Sequence, residues 1–300
     1  MKIFDCTTFF DENLMLEVRL NILDKYVDKF VIAESKYSHS GKKKKLNFDL
    51  SKFSNFKKKI IYIVTENEPS NLIYKKEKNL LLEEKEEFRR NSIKRISKQR
   101  DSLLDGLSEA EPEDYIFYSD NDEIPNFEGF NLKENKSKIL IFKQKLFYYK
   151  FNLFCDRVDW YGTKGCKKKD LISFAWLREI KSKKYNPFRL DTIFSKNKYI
   201  NLKIIQNGGW HFSQLKTPKD IEIKLLNQEH HDEYRIAKEN LPTVEELVKR
   251  KSIAYDHKAK SSDYKYSKEF KLKTLPINSM PLFLQNNMNK YNKWFDYDVS

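Results

Sequence analysis

Three short apolar runs constrain this chain more than anything else in it: FVIAES at 30–35, IIYIV at 60–64 and YIFYS at 115–119. Each has strand length and runs into polar residues, the pattern of a strand buried on both faces. The stretches between them are long enough to hold helices. Strands alternating with helices imply a parallel sheet joined by right-handed crossovers. Residues 2–5 add a short first strand, and Asp11 stands where it can cap a helix over 12–26. There Met15, Val18, Ile22, Leu23 and Tyr26 recur at helical spacing. The charged stretch 77–107 carries a narrow stripe of Phe88, Ser92, Ile96, Leu103 and Leu107, with Gly106 where that helix would end. The expected fold class is α/β, with a mostly parallel central sheet flanked by helices.

The second half changes character. ILIFKQKLFYYKFN at 139–152 alternates like one long strand. A helix is expected near 169–180. Thr217 caps another that begins at Pro218, with Asp220 in its first turn. A further helix spans 243–252, and residues 252–300, polar with scattered aromatics, read as a wrapping tail.

Composition narrows the function classes. The 300 residues carry a formal charge of +14, with lysine runs at 42–45, 57–59 and 167–169. A solvated, lysine-biased surface is the plain reading; attraction to nucleic acid, an anionic membrane face or a phosphorylated substrate is the functional one. No zinc-finger spacing, RRM-type aromatic motif or basic zipper accompanies the charge, so no specific nucleic-acid partner is expected. Three cysteines (Cys6, Cys155, Cys166) do not make a disulfide framework, and a reducing compartment follows. Asp5, Asp11 and Glu12 interrupt the start too early for a signal-peptide core, and no run approaches the length of a membrane-spanning helix. The expected location is cytoplasmic, with peripheral contact to an anionic membrane left open.

In YIFYSDNDEIPNF, 115–127, the third apolar run opens onto Asp120, Asp122 and Glu123. Ligands of open α/β sheets gather at the carboxyl ends of the strands. Carboxylates two apart on extended chain share a face and repel unless a cation lies between them. Hard Mg2+ or Mn2+ takes oxygen ligands and can also bridge a diphosphate. An isolated D-x-D, however, is more often an acidic turn closing a strand, and nucleases and phosphotransferases use paired carboxylates too.

The surrounding segments resemble glycosyltransferase family 17, the β-1,4-N-acetylglucosaminyltransferase III type. They are IFDCTTFFDENLMLEVRL at 3–20, VDKFVIAESKYSHSGKKKKL at 27–46, RDSLLDGL at 100–107, DNDEIP at 120–125, and GGWHFS at 208–213 followed by Pro218, Ile221 and Lys224. Together they span about residues 1–235 in the family's order; Lys45 stands where a proline is common.

The resemblance implies a GT-A-type fold, a UDP-sugar donor (UDP-GlcNAc in characterised members), a glycan acceptor, Mn2+ or Mg2+, and inversion at the anomeric carbon. It implies one catalytic domain over 1–251, with a nucleotide-sugar-binding half at 1–125 and an acceptor half at 126–251, then the tail at 252–300. Asp120 and Asp122 become metal ligands, with His211 completing the shell and Glu123 as a neighbour. Gly208 and Gly209 would let backbone approach the ligand closely. Donor contacts fall to Thr7 and Phe10 in the first loop, Glu34 and Ser35 past a strand end, and Arg100 and Asp101 on the preceding helix. Lys42 and Lys224 would counter phosphate charge. Inversion needs a carboxylate base near the acceptor hydroxyl; of Asp159, Glu179 and Asp191, the latter two are the preferred candidates. Trp160, Tyr161 and Trp176 suit stacking on sugar rings. HHDEY at 230–234 resembles a zinc half-site, but its adjacent spacing is poor for joint ligation and no metal is assigned there. The alternative function is a basic polyanion- or nucleic-acid-binding protein on a catalytically idle GT-A domain.

Overall fold

The apolar runs become the middle of a seven-stranded sheet. The computed structural model describes residues 1–73, 82–186, 188–192, 194–226, 231–259, 265–266 and 268–297. Its strands begin with β1 (Ile3–Phe9), β2 (Lys29–Ser35), β3 (Ile60–Thr65), β4 (Tyr115–Tyr118), β5 (Glu123–Pro125), β6 (Ile139–Phe142) and β7 (Gln144–Tyr148). They continue with β8 (Leu153–Trp160), β9 (Lys164–Lys167), β10 (Leu202–Ile205), β11 (Gly209–Ser213), β12 (Ser252–Ile253), β13 (Phe270–Lys271) and β14 (Lys273–Thr274). The α-helices are α1 (Asn13–Leu23), α2 (Leu82–Asp101), α3 (Phe174–Glu179), α4 (Pro218–Leu225), α5 (His231–Ala237), α6 (Val244–Lys249) and α7 (Leu282–Asn286).

The main sheet has the order β10-β6-β9-β4-β1-β2-β3, and every neighbouring pair is parallel except the two made by β9. The expected α/β class is therefore met by a mixed, largely parallel sheet. Phe30 to Ala33 of β2 and Ile116 to Tyr118 of β4 are at most 1% exposed, because both faces of the sheet are covered. Alternate residues divide between two cores. Phe30, Ile32 and Phe117 pack with Met15, Leu16, Leu20 and Leu23 of α1, while Val31, Ala33, Ile116 and Tyr118 pack with Leu103, Leu107, Phe174 and Leu177.

A second sheet, β14-β8-β7-β11-β5, stands beside the first. Residues 139–152 are thus two strands in two sheets rather than one long strand. The chain turns from one to the other at Lys143, whose N–H donates to Ile205 and whose carbonyl accepts from Gly208. The main sheet also takes β6, β9 and β10 from beyond residue 125, so the two expected halves share one sheet.

Several helix ends differ from expectation. Asp11 does not cap α1; it pairs with Lys216, and Glu12 occupies the cap position without a side-chain cap bond. α2 ends at Asp101, and residues 102–107 form a 3-10 turn. In that turn a Cβ on Gly106 would lie 2.3 Å from Val31 Cγ1, so this glycine serves close packing on β2. Phe88 and the start of the expected 77–107 helix, through residue 81, lie outside the described side chains and residues. α3 is shorter than expected and is capped by Ser173, whose Oγ accepts from Trp176 N at 3.2 Å. The caps at Thr217 and Thr243 are present, the latter as a full capping box. The tail is structural: β14 extends the second sheet, and Met280, Leu284, Tyr291 and Phe295 enter the core.

One charge is buried in the middle of this fold. Arg19 of α1 is fully enclosed, and so is Asp5 of β1 beside it. All five guanidinium N–H groups find acceptors: Asp5 Oδ2 at 2.7 Å, Asp5 Oδ1 at 2.6 Å, Ser119 Oγ at 2.7 Å, Glu123 O at 2.8 Å and Asp120 O at 3.2 Å. Removing one partner of such a pair strands a buried charge. Arg19→Leu should cost about 3–5 kcal/mol in urea unfolding, and Arg19→Lys should remain clearly destabilised because an ammonium cannot reproduce the fork. A loss below about 1 kcal/mol for Arg19→Leu would contradict this account.

Candidate functional site

The chain leaves β1 for β2 on one side of the sheet, and β4 lies on the other side of β1. Such a reversal of strand order opens a crevice at the carboxyl ends of the two strands. Here it becomes a cleft of about 590 Å3 lined by Phe10, Asp120, Asp122, His211, Lys224 and residues of the second sheet and tail.

The turn after β4 forms its floor. Ser119 Oγ donates to Glu123 O at 2.9 Å, and Arg19 holds the carbonyls of Asp120 and Glu123 from beneath. Glu123, 1% exposed, is consumed by structure. Its carboxylate accepts from Arg178 Nη1 at 2.7 Å, Arg178 Nη2 at 2.8 Å, Trp160 Nε1 at 2.7 Å and Asp120 N at 3.0 Å. Arg178 Nη2 also reaches Asp120 Oδ2 at 3.0 Å, while Tyr118 donates to Asp120 Oδ1 at 2.8 Å and Arg100 Nη2 lies 3.5 Å from that oxygen. Burial works against charge on Asp120, but Arg178 and Arg100 outweigh it and hold the carboxyl well below the usual range.

Asp122 belongs to a different group. Its Oδ1 is 3.5 Å from His211 Nε2 and its Oδ2 is 3.5 Å from Lys224 Nζ, which is 3.7 Å from Glu12 Oε1. Burial again opposes the charge, and Lys224 with His211 overcomes it, leaving Asp122 far below an ordinary carboxyl. Lys224 is held protonated in turn: burial disfavours its charge, and Asp122 and Glu12 more than restore it. The meeting of Asp122 and His211 follows from strand pairing, since β11 runs antiparallel to β5 with His211 opposite Glu123. Gly209, at φ +124°, permits that approach; a Cβ there would stand 2.1 Å from Ile124 O. Gly209 therefore serves the approach of two strands.

The fit to a cation can be judged from these atoms. A separation of 3.5 Å is long for a hydrogen bond. It matches two ligand atoms each about 2.1 Å from one ion. His211 Nδ1 is buried without a hydrogen-bond partner among the described residues, so the ring lacks the second-nitrogen hydrogen bond that usually orients a ligating histidine. Among the described residues no three His, Cys, Asp or Glu side chains converge. Asp122 and His211 are thus spaced to share a hard cation, while Asp120 is turned to Arg178 and Arg100.

Other expected site residues divide sharply. Phe10, Arg100 and Lys224 line the cleft; Thr7, Glu34, Ser35, Lys42, Asp101, Glu179 and Asp191 do not. Thr7 is buried within β1 rather than in a loop. Glu34, fully buried, pairs with Lys44 and accepts from Asn47 N at 2.8 Å, Phe48 N at 3.0 Å and Tyr62 OH at 2.8 Å, so it builds the 44–48 loop. Ser35 Oγ accepts from Tyr37 N, and Lys42 is exposed. Asp101 accepts from Ala175 N at 2.8 Å and thereby fixes α3, the helix that carries Arg178. Lys164 holds the other end of α3 through the carbonyls of Arg178 and Ile180; burial and the nearby Arg178 charge push it down to about 7. Glu179 is exposed, Asp191 pairs with Arg189 and Lys198 at the surface, and Asp159 pairs with Lys143. His230 lies outside the described residues.

Sequence reading missed Arg178, Glu12 and one whole wall of the cleft. The wall is a chain of rings: His211 to Trp160 at 4.5 Å, Trp160 to His257 at 6.1 Å, His257 to Tyr255 at 4.9 Å, Tyr255 to Tyr266 at 5.2 Å and Tyr266 to Tyr234 at 5.8 Å. Tyr148 OH meets His257 Nε2 at 2.6 Å. Burial, then the nearby His211, push His257 down to about 4. Of the expected stacking residues only Trp160 lines the cleft; Tyr161 and Trp176 pack in the second core.

Comparison with known proteins completes the picture. No curated protein matches the chain. Among solved structures, two of HddC from Yersinia pseudotuberculosis, the second of them complexed with GMP-PN, align at 12% and 11% identity. Each alignment covers 69% of this chain and 92% or 90% of that one, with a TM-score of 0.32, too loose a superposition to carry an argument. The model of Glycosyltransferase family 17 matches residues 1–182, which hold β1, β4, the Asp120–Glu123 turn and Arg178. That is more than half of the chain, and the protein belongs to glycosyltransferase family 17.

Proposed function

We propose that the cleft transfers a sugar from a nucleotide-sugar donor, UDP-GlcNAc being the first to test, to a hydroxyl of a glycan acceptor, with inversion and on a GT-A-type fold. The observation that carries this reading is the pairing of Asp122 with His211 beside Lys224, at the carboxyl edge of β1 and β4, in a chain of this family. A divalent cation held by Asp122 and His211 would neutralise charge on the departing diphosphate. Lys224, Arg100 and Arg178 surround the same end of the cleft and attract phosphate without reorganising. The ring wall, with Trp160 fixed by Glu123, offers apolar faces to the acceptor saccharide.

The base is assigned anew. Glu179 and Asp191 stand outside the cleft, whereas Asp256 lines it within the ring-bearing segment, with Arg157 at 3.6 Å. We assign Asp256 the proton of the acceptor hydroxyl.

Three measurements follow. Calorimetry should show UDP-GlcNAc binding that strengthens with Mn2+ and is lost in Asp122→Ala of preserved fold; tight RNA binding with no response to nucleotide sugars would favour the polyanion-binding alternative. Asp256→Asn should lower kcat by roughly 100-fold or more while donor affinity is unchanged; an unchanged kcat contradicts the assignment. For His257, the unfolded chain takes up a proton below about 6.5 that the folded one refuses until about 4. The stability it contributes is complete above that window and drains as pH falls through it. His257→Gln should flatten the loss of stability between those values by about 3 kcal/mol, read from urea midpoints; equal slopes would contradict it.

A further inference from the structure

The segment after α3 closes on itself, for Lys181 N donates to Asn197 O at 2.7 Å. At its far end Thr192 N donates to Arg189 O at 3.1 Å, and Phe188 and Phe194 flank this turn. Those two rings are 91% and 87% exposed, the most exposed large apolar side chains described in the protein. In the same segment Lys181, Lys183, Lys184 and Lys196 are exposed and have no acidic partner among the described residues. The segment's one carboxylate, Asp191, is already held by Arg189 at 2.8 Å and Lys198 at 2.7 Å. Tyr185 lies beneath the same two cations.

Two aromatic rings in water on a lysine-rich segment are poorly matched to solvent and well matched to one environment. A bilayer interface accepts aromatic rings at headgroup depth, and anionic lipid attracts the flanking cations. Among the described residues no helix is long and apolar enough to cross a membrane. We propose that this segment docks the protein on an anionic bilayer, with Phe188 and Phe194 entering the headgroup layer and the four lysines facing lipid phosphates. The segment is tied to the cleft: Trp176 Nε1 donates to Lys196 O at 2.8 Å, and Trp176 shares α3 with Arg178. Docking would therefore hold the Arg178 side of the cleft near the lipid surface. The inference stands apart from the assigned reaction, since it rests on surface residues alone.

Flotation with vesicles of equal parts phosphatidylglycerol and phosphatidylcholine tests it. The wild type should float with these vesicles, release at high salt, and stay behind with pure phosphatidylcholine. F188S/F194S and K183S/K184S should each weaken partitioning by about tenfold, with unchanged melting temperature and UDP binding as checks on fold. No flotation of the wild type, equal flotation of either variant, or equal binding to neutral vesicles overturns the proposal. So does polyuridylate that displaces the protein from vesicles and itself loses affinity in F188S/F194S, which would make the surface a nucleic-acid site.

Discussion

Arg19 is the point on which the cleft rests. Its guanidinium joins α1 to β1 through Asp5 and to the turn after β4 through Ser119, Asp120 and Glu123. The charge has no access to water, so every displaced hydration contact must be replaced by a protein acceptor. Three of its contacts fall on the segment that presents the acidic pair. The turn is consequently set by the interior of the fold, and Asp120 and Asp122 are presented without being free to rearrange around each other.

Above that turn the cleft holds two charge groups that divide the work of one motif. Asp120 and Glu123 anchor Arg178, and Asp122 with Glu12 anchors Lys224. Cations are thus kept at the diphosphate end of the proposed site by carboxylates rather than by solvent, which is how a preorganised electrostatic environment is built. The same arrangement explains why α3 is pinned at both ends, by Asp101 and by Lys164. A helix of so few residues would not hold Arg178 in place by its own backbone bonds.

Much of this was legible beforehand. The strand cores, the cap at Thr217 and the acidic pair all follow from local rules that the sequence states openly. Arg19 was not legible, because arginine on a helix is ordinarily a surface residue and its acceptors lie up to 104 positions away. The break at Lys143 is a tertiary event between two sheets, invisible in an alternating pattern that runs straight through it. Arg178 was passed over for its neighbour Glu179, since the register of α3, fixed by Ser173, decides which of the two faces the cleft. Half of the ring wall, Tyr255, His257 and Tyr266, comes from the tail, where scattered aromatics show no period until it folds back.

Asp122 and His211 are the proposed seat of the donor's diphosphate. Anomalous diffraction from crystals grown with Mn2+ and UDP tests that most directly. A manganese peak within ligand distance of both Asp122 and His211 Nε2, with the UDP phosphates on the same ion, is the predicted result. UDP ordered elsewhere on the protein, with no metal peak beside either residue, would contradict it.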